Sequence, residues 1–331
     1  MAKQTSQDLK TQQARQAEKE NDFGRWDFVR LAPLMGGISA LLTVIALVLI
    51  FTKGLNYGID FAGGTEIQVR FNKPVDASEL RKVISAHGIE NPSVQNFGSD
   101  REFLIRLETP HAATEKETNV LINANVAKIR ADLKSKFDLP EEGLLRVDTV
   151  GPQVGSELKR NGFLAAFYSF LVILIYVALR FDYQYAPGAV LCLVHDSIVT
   201  VGVYSLLGRE FNVQIMASVL TLIGYSLNDT IVTFDRIRET MPHYRDRSLK
   251  FIINKSINDM LGRTILTSTA TMTAVVALYF FGGGVISEIA FTLIIGIIIG
   301  TYSSIYVASP LILVMDWFRT RSPHGSVVSP A

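Results

Sequence analysis

Apolar residues along this chain gather into six blocks, at 34–51, 162–179, 187–207, 213–234, 265–281 and 289–315, with polar stretches between them. A helix rises about 1.5 Å per residue, so roughly 20 apolar residues cross the 30 Å hydrocarbon core of a bilayer. Each block is read as a transmembrane helix, the last one long enough to need tilt or an interfacial turn. Pro33 falls at the first turn of the first block, where a missing N–H costs nothing. No small-residue cleavage site follows that block, so a retained signal anchor is expected rather than a removed leader. The expected division is a tail over 1–33, a first transmembrane helix over 34–53, a soluble domain over 54–161, helices two to six within 162–315, and a tail over 316–331.

Within the polar interval the pattern changes period. Residues 65–71 (TEIQVRF) alternate and predict a strand, and 77–87 predict a helix with Asp76 as its N-cap. Residues 93–97 and 102–108 predict two strands joined at Gly98-Ser99-Asp100, 115–137 a long amphipathic helix, and 144–150 a last strand before Gly151-Pro152. The order β-α-β-β-α-β is the ferredoxin-like α+β arrangement, a fold that hosts many unrelated activities. The fold class is therefore a polytopic α-helical membrane protein, six transmembrane helices, carrying one ferredoxin-like domain.

Composition adds limits. Hydrophobic residues make up 48% of the 331, and the formal charge is +1, without the aromatic-interleaved basic stretches of nucleic-acid binders. The single cysteine, Cys192, lies in an apolar block, which leaves no internal disulfide and no cysteine-based zinc cluster. Lys and Arg distribution sets the expected orientation. The N-terminal tail carries Lys3, Lys10, Arg15, Lys19, Arg25 and Arg30; the loop after the fourth span carries Arg236, Arg238, Arg245, Arg247, Lys250 and Lys255; the C-terminal tail adds Arg319 and Arg321. The opposite short connections hold only Arg209 or the cation-free Gly282-Gly283-Gly284 turn. Both termini are expected in the cytoplasm and the soluble domain outside.

Charges inside the apolar blocks carry the candidate chemistry, because an ionisable group at mid-membrane costs roughly 2.5–3.5 kcal/mol on insertion scales. His195 and Asp196 fall near the middle of the third span; they read either as a proton-relay element or as a structural interhelical contact. As helix neighbours they project about 100° apart, so one is expected to face the bundle while the other finds a separate partner. Asp229, in GYSLNDT near the end of the fourth span, lies in a polar and small-residue stretch expected to pack inside the bundle. Arg263 opens the fifth span and either snorkels to the interface or reaches Asp229 on the preceding helix. Asp235, Arg236, Arg238 and Glu239 read instead as a solvated or interfacial helix, with Asp235 beside Arg238 and Glu239.

Other chemistry finds little support. His87 and His111 are isolated and read as surface histidines; Gly63-Gly64 lacks the Lys-Ser/Thr of a phosphate loop and reads as a bend at the membrane exit. No metal set, cofactor motif or nucleotide site is expected. Asp196 and Asp229 superficially match an intramembrane aspartyl protease pair, but Ser-Leu-Asn precedes Asp229 where those enzymes carry Gly-x-Gly. No serine stands in a nucleophile-elbow context either. The chain is expected not to be an enzyme.

GYSLNDTIVTFDRIRE at 224–239, with GIDFAGGT at 58–65, VGPQVGSEL at 150–158, RTILTS at 263–268 and GTYSSIYVAS at 300–309, resembles the bacterial SecF family of protein-export membrane proteins. The resemblance runs in order from about 55 to 309. It implies an inner-membrane accessory subunit of the Sec translocon that pairs with SecD and uses the proton-motive force to draw preproteins out through SecYEG after ATP-driven initiation. It also implies membership of the resistance-nodulation-division superfamily, and proton-coupling roles for the residues matching Asp229 and Arg263. His195-Asp196 matches a recurring His-Asp pair. A proton-driven exporter of small molecules or lipids, and a scaffold for SecD that conducts nothing, are the competing readings.

Overall fold

The computed structural model describes residues 24–86, 92–97, 99–107, 115–181 and 185–321. His87, His111, the Gly98 turn, most of the N-terminal tail and the last ten residues lie outside the described residues. The chain begins with α1 (Phe28–Thr52), β1 (Asn56–Tyr57), α2 (Ile59–Ala62), β2 (Gly64–Arg70), α3 (Ala77–Ser85), β3 (Ser93–Asn96), β4 (Glu102–Leu107), α4 (Glu115–Phe137) and β5 (Leu144–Val150). It continues through α5 (Pro152–Arg180), α6 (Ala186–Leu207), β6 (Glu210–Phe211), α7 (Val213–Thr240), α8 (Leu249–Phe281), α9 (Gly284–Ser303), a π-helical turn (Ser304–Ala308) and α10 (Ser309–Arg321).

Six helical segments are long and apolar enough to cross a membrane: α1, α5, α6, α7, α8, and α9 run on through the π-turn into α10. Their outward faces keep large apolar side chains exposed, among them Leu41 of α1, Phe167 of α5 and Leu266 of α8. Contiguous apolar exposure of this kind suits lipid rather than water. Several helices outrun their hydrophobic blocks. α8 starts at Leu249, where the Ser248 hydroxyl caps it by accepting from the Phe251 amide, and not at 265. Its first turns carry Lys255, Asp259 and Arg263, which lower hydropathy without breaking a helix, so Arg263 lies well inside the helix rather than at its start. Hydropathy reports the part inside hydrocarbon; backbone hydrogen bonding sets where the helix ends.

The charged stretch after α7's apolar part pairs differently from the expected pattern. Arg236, not Asp235, is the centre: it bonds Glu239 at 2.9 Å and Asp259 of α8 at 2.7 Å, while Asp235 lies 4.0 Å from Arg180 of α5. Spacing along one helix offered local partners, and the neighbouring helices supplied others.

The soluble domain has the expected strand and helix order. Its sheet runs β3-β4-β2-β5, all antiparallel, with Ile67 opposite Ile105 on β4 and Val147 on β5. Alternation on β2 sends Ile67 and Val69 into a core with Leu80, Ile84, Ile129 and Leu133 from α3 and α4. Asp76 caps α3 by accepting from the Ser78 amide at 2.6 Å. The opposite face of the sheet is polar and covers the membrane helices: Glu66, Gln68, Arg146 and Asp148 enclose a cavity of about 260 Å³ with Glu210 and Gln214. Arg106 of β4 forms a partly buried ion pair with Glu210 and donates to the Tyr57 carbonyl at 2.7 Å.

The short helix α2 escaped notice in the sequence. It ends at Gly63 and Gly64, with φ of +76° and +136°, and a Cβ on Gly64 would approach the Leu107 carbonyl oxygen to 2.6 Å. The two glycines therefore let the chain turn from α2 into β2 with backbone in close contact, a role only glycine fills without strain.

Candidate functional site

Four of the six spans converge on a polar centre. Asp196 of α6 is 1% exposed and fully engaged: Oδ1 lies 2.8 Å from His195 Nδ1, and Oδ2 accepts from Ser226 Oγ of α7 at 2.5 Å and Ser303 Oγ of α9 at 2.8 Å. Cys192, one turn earlier on α6, donates its thiol to Ser303 Oγ at 3.2 Å. A carboxylate taken into the low dielectric needs such donors, since each charge-assisted bond offsets part of its lost hydration. The structure thus joins His195 to Asp196, where helical spacing had pointed them to separate partners; rotation about the side-chain torsions closes the angle. His195 is 7% exposed and its Nε2 has no hydrogen-bond partner.

Asp229 stands one turn beyond Ser226 on α7. It is 4% exposed, and its Oδ2 is buried with no hydrogen-bond partner. Arg263 of α8 acts on it electrostatically from beyond ion-pair distance, so the two are not in direct contact. Ser268, little more than a turn after Arg263, shares a 2.9 Å hydrogen bond with Thr301 of α9 and ties the two helices beside Asp229. Asp229 is therefore a buried carboxyl group with spare acceptor capacity at Oδ2.

Close packing of α9 makes the network possible. A Cβ on Gly300 would meet Ser226 Cβ at 3.1 Å, and one on Gly296 would strike Leu222. Small residues at this crossing bring α9 near enough for Ser303 to share Asp196 with Ser226. Immediately afterwards the helix widens into the π-turn, at whose end the Ser309 hydroxyl donates to the Ser304 carbonyl at 2.9 Å.

Not all of the polar stretch of α7 is covered. Ser226, Asp229 and Thr230 are buried, but Thr221, Gly224 and Asn228 are exposed, as are Gly262, Arg263 and Thr267 on α8. One face of the stretch packs inside the bundle as expected, and helical periodicity turns the rest outward. Polar and small residues on the outer face of membrane helices suit another protein better than lipid.

Comparisons with known proteins agree with this architecture. Residues 130–317 match the family described as protein export membrane protein SecD/SecF, C-terminal, and residues 48–75 match the SecD/SecF GG motif. The chain belongs to the SecD/SecF family. A protein translocase subunit SecF from Calditerrivibrio nitroreducens is 50% identical over 89% of this chain and 95% of its own length. The SecF of Escherichia coli O157:H7 is 39% identical over 95% of this chain and 94% of its own. The crystal structure of the translocon-associated membrane protein SecDF from Thermus thermophilus superposes with a TM-score of 0.79 at 35% identity, over 88% of this chain; the match spans 39% of the longer SecDF chain. The Gly63-Gly64 turn lies in the GG-motif region, and the Asp196 and Asp229 centre lies in the C-terminal region. The chain is thus a multi-pass membrane protein whose relatives are named as transport components.

Ser226 and Ser303 are the partners of Asp196 that the sequence did not single out. Both stand in stretches that carry the family resemblance, yet a serine in a membrane helix also satisfies itself by bonding a carbonyl one turn back, as Ser197 and Ser256 do. Only the helix packing distinguishes the two uses.

Proposed function

We propose that this chain is the SecF subunit of a Sec translocase accessory complex in the bacterial inner membrane. There it works with a SecD partner, uses the proton-motive force, and promotes export of preproteins through SecYEG. Asp229 takes up and releases the proton, Arg263 is its switchable counter-charge, and His195 with Asp196 forms the fixed polar core against which α7 shifts. The termini face the cytoplasm and the sheet domain faces outward. The observation that carries this reading is the buried, unpartnered Oδ2 of Asp229 between helices that leave a polar face uncovered.

The energetics are adequate. A proton moving through 100 mV releases roughly 2.3 kcal/mol, comparable to the few kcal/mol that separate two states of a bistable element. Approach of Arg263 favours the ionised carboxylate, and its withdrawal favours the proton, so an alternating distance between the two couples charge movement to helix movement. The uncovered face formed by Thr221, Gly224, Asn228, Arg263 and Thr267 is the surface assigned to SecD.

The test is gradient-stimulated export of a preprotein into inverted membrane vesicles carrying the chain co-expressed with SecD. Asp229→Asn and Arg263→Leu are expected to assemble normally, lose the gradient-dependent part of export, and keep ATP-driven initiation. Export by Asp229→Asn at the unmodified rate would reduce the subunit to a scaffold.

A further inference from the structure

A second cavity lies apart from Asp229, Arg263 and the face assigned to SecD, and reaches the polar centre only at His195, which forms part of its wall. It has a volume of about 780 Å³ and runs between α1, α6 and the π-turn with α10, from Val29 to Val44 along α1. Fifteen helical steps amount to about 22 Å. That exceeds the roughly 15 Å half-thickness of the hydrocarbon core. The walls are mostly apolar, with Val194, Ile198 and Leu311 prominent and Ser39, Thr43 and His195 the polar side chains along them, and exposed Val44, Leu191 and Val314 at its rim open it sideways to the bilayer. Gly36 leaves its floor free: a Cβ there would meet nothing within 4 Å.

One end is chemically different. Lys250, in the first turn of α8, lines the cavity, is exposed, and forms no ion pair among the described residues. It is held at this level because Asn254, one turn on, accepts the Phe28 amide at 2.8 Å and so binds the start of α1 to the start of α8. The N-terminus of α8 adds positive potential at the same place. Tyr306, carried into the cavity wall by the π-turn, sets its ring 6.0 Å from that of Phe28 at a tilt of 59°, and its hydroxyl has no hydrogen-bond partner among the described residues. A cation, a free phenolic donor and aromatic rings stand together at the level of the lipid headgroups, with a long apolar trough leading inward from them.

We propose that this cavity is a binding site for an anionic glycerophospholipid of the leaflet opposite the sheet domain. Its phosphate pairs with Lys250, an ester oxygen accepts from Tyr306, and one acyl chain fills the trough beside Gly36. Charge complementarity selects this occupant over an uncharged lipid or an apolar small molecule, because neither would use the unpaired ammonium. Occupancy would pin α1 and α10 against α6, the helix that carries His195 and Asp196.

The full chain is placed in nanodiscs of phosphatidylcholine doped with phosphatidylglycerol bearing a photoreactive acyl chain, and the labelled peptides are mapped. Label is expected to concentrate on 29–44 and 306–314, to be competed by unlabelled phosphatidylglycerol but not by phosphatidylcholine, and to fall about fivefold in Lys250→Gln. Ala40→Phe, which fills the trough without touching the charge, should also remove it. Label spread equally over the outer face of α5 around Phe167 would mean ordinary boundary lipid and would overturn the proposal. Loss in Ala40→Phe with full retention in Lys250→Gln would overturn it as well, by removing headgroup selection.

Discussion

At the scale of single residues, two aspartates that both stand in apolar blocks differ in how their oxygens are bonded. Asp196 accepts from Ser226 and Ser303 and meets His195, whereas Asp229 retains a buried oxygen with no donor. Asp196 is held from three sides, and Asp229 keeps one oxygen free to accept. Ser303→Ala removes one charge-assisted bond from a buried carboxylate and is expected to cost about 1–3 kcal/mol. Thermal unfolding in detergent should register a lower Tm, and Ser303→Thr, which keeps the hydroxyl, should recover most of it. Both aspartates were legible in the sequence as charges in apolar blocks. Which one is fully bonded was not, since that depends on two serines contributed by other helices.

At the scale of elements, the crossing of α7 and α9 is the tightest constraint on the site. Gly300 lets the helices approach until Ser226 is in contact, and this closeness places Ser303. Gly300→Val inserts bulk where a Cβ alone would be 3.1 Å from Ser226. Overpacking of this kind costs about 1–3 kcal/mol. The variant is expected to unfold at lower temperature, and adding Ser226→Gly should return part of the stability without restoring gradient-driven export. Helix number and helix positions follow from hydropathy, which explains why all six segments were foreseen. Their ends did not: α8 carries a charged N-terminal third held by Arg236–Asp259 and Lys255–Asp259 pairs, and hydropathy reads such a stretch as loop.

At the scale of the whole molecule, the polar face of the sheet closes over the membrane helices through a cluster of acids and the partly buried Arg106. Glu66 is pushed up to about 7, chiefly by burial and then by the neighbouring Glu210 carboxylate, against the opposing pull of Arg106; Asp148 and Asp60 push the same way. Burial also raises Glu210, again opposed by Arg106. A carboxyl raised by folding holds a proton that the open chain releases, so its contribution is complete below the ordinary value near 4.5 and is lost as pH climbs through about 7. Hydrogen exchange across β2 and β5 should accordingly report a tighter sheet domain at pH 5 than at pH 8. Glu66→Gln, fixed in the neutral form, is expected to flatten that difference, and an unchanged pH dependence would assign it to other groups.

The sequence by itself determined six membrane helices, a β-α-β-β-α-β domain and the charged residues worth watching. Hydropathy over a span and alternation along a strand are local properties, written in neighbouring residues. The tertiary structure alone decided which groups share a hydrogen bond, why Arg236 rather than Asp235 organises the α7 terminus, and where polar residues remain uncovered. Those outcomes depend on contacts between residues distant in the chain, and the distances are set by how closely the helices can approach.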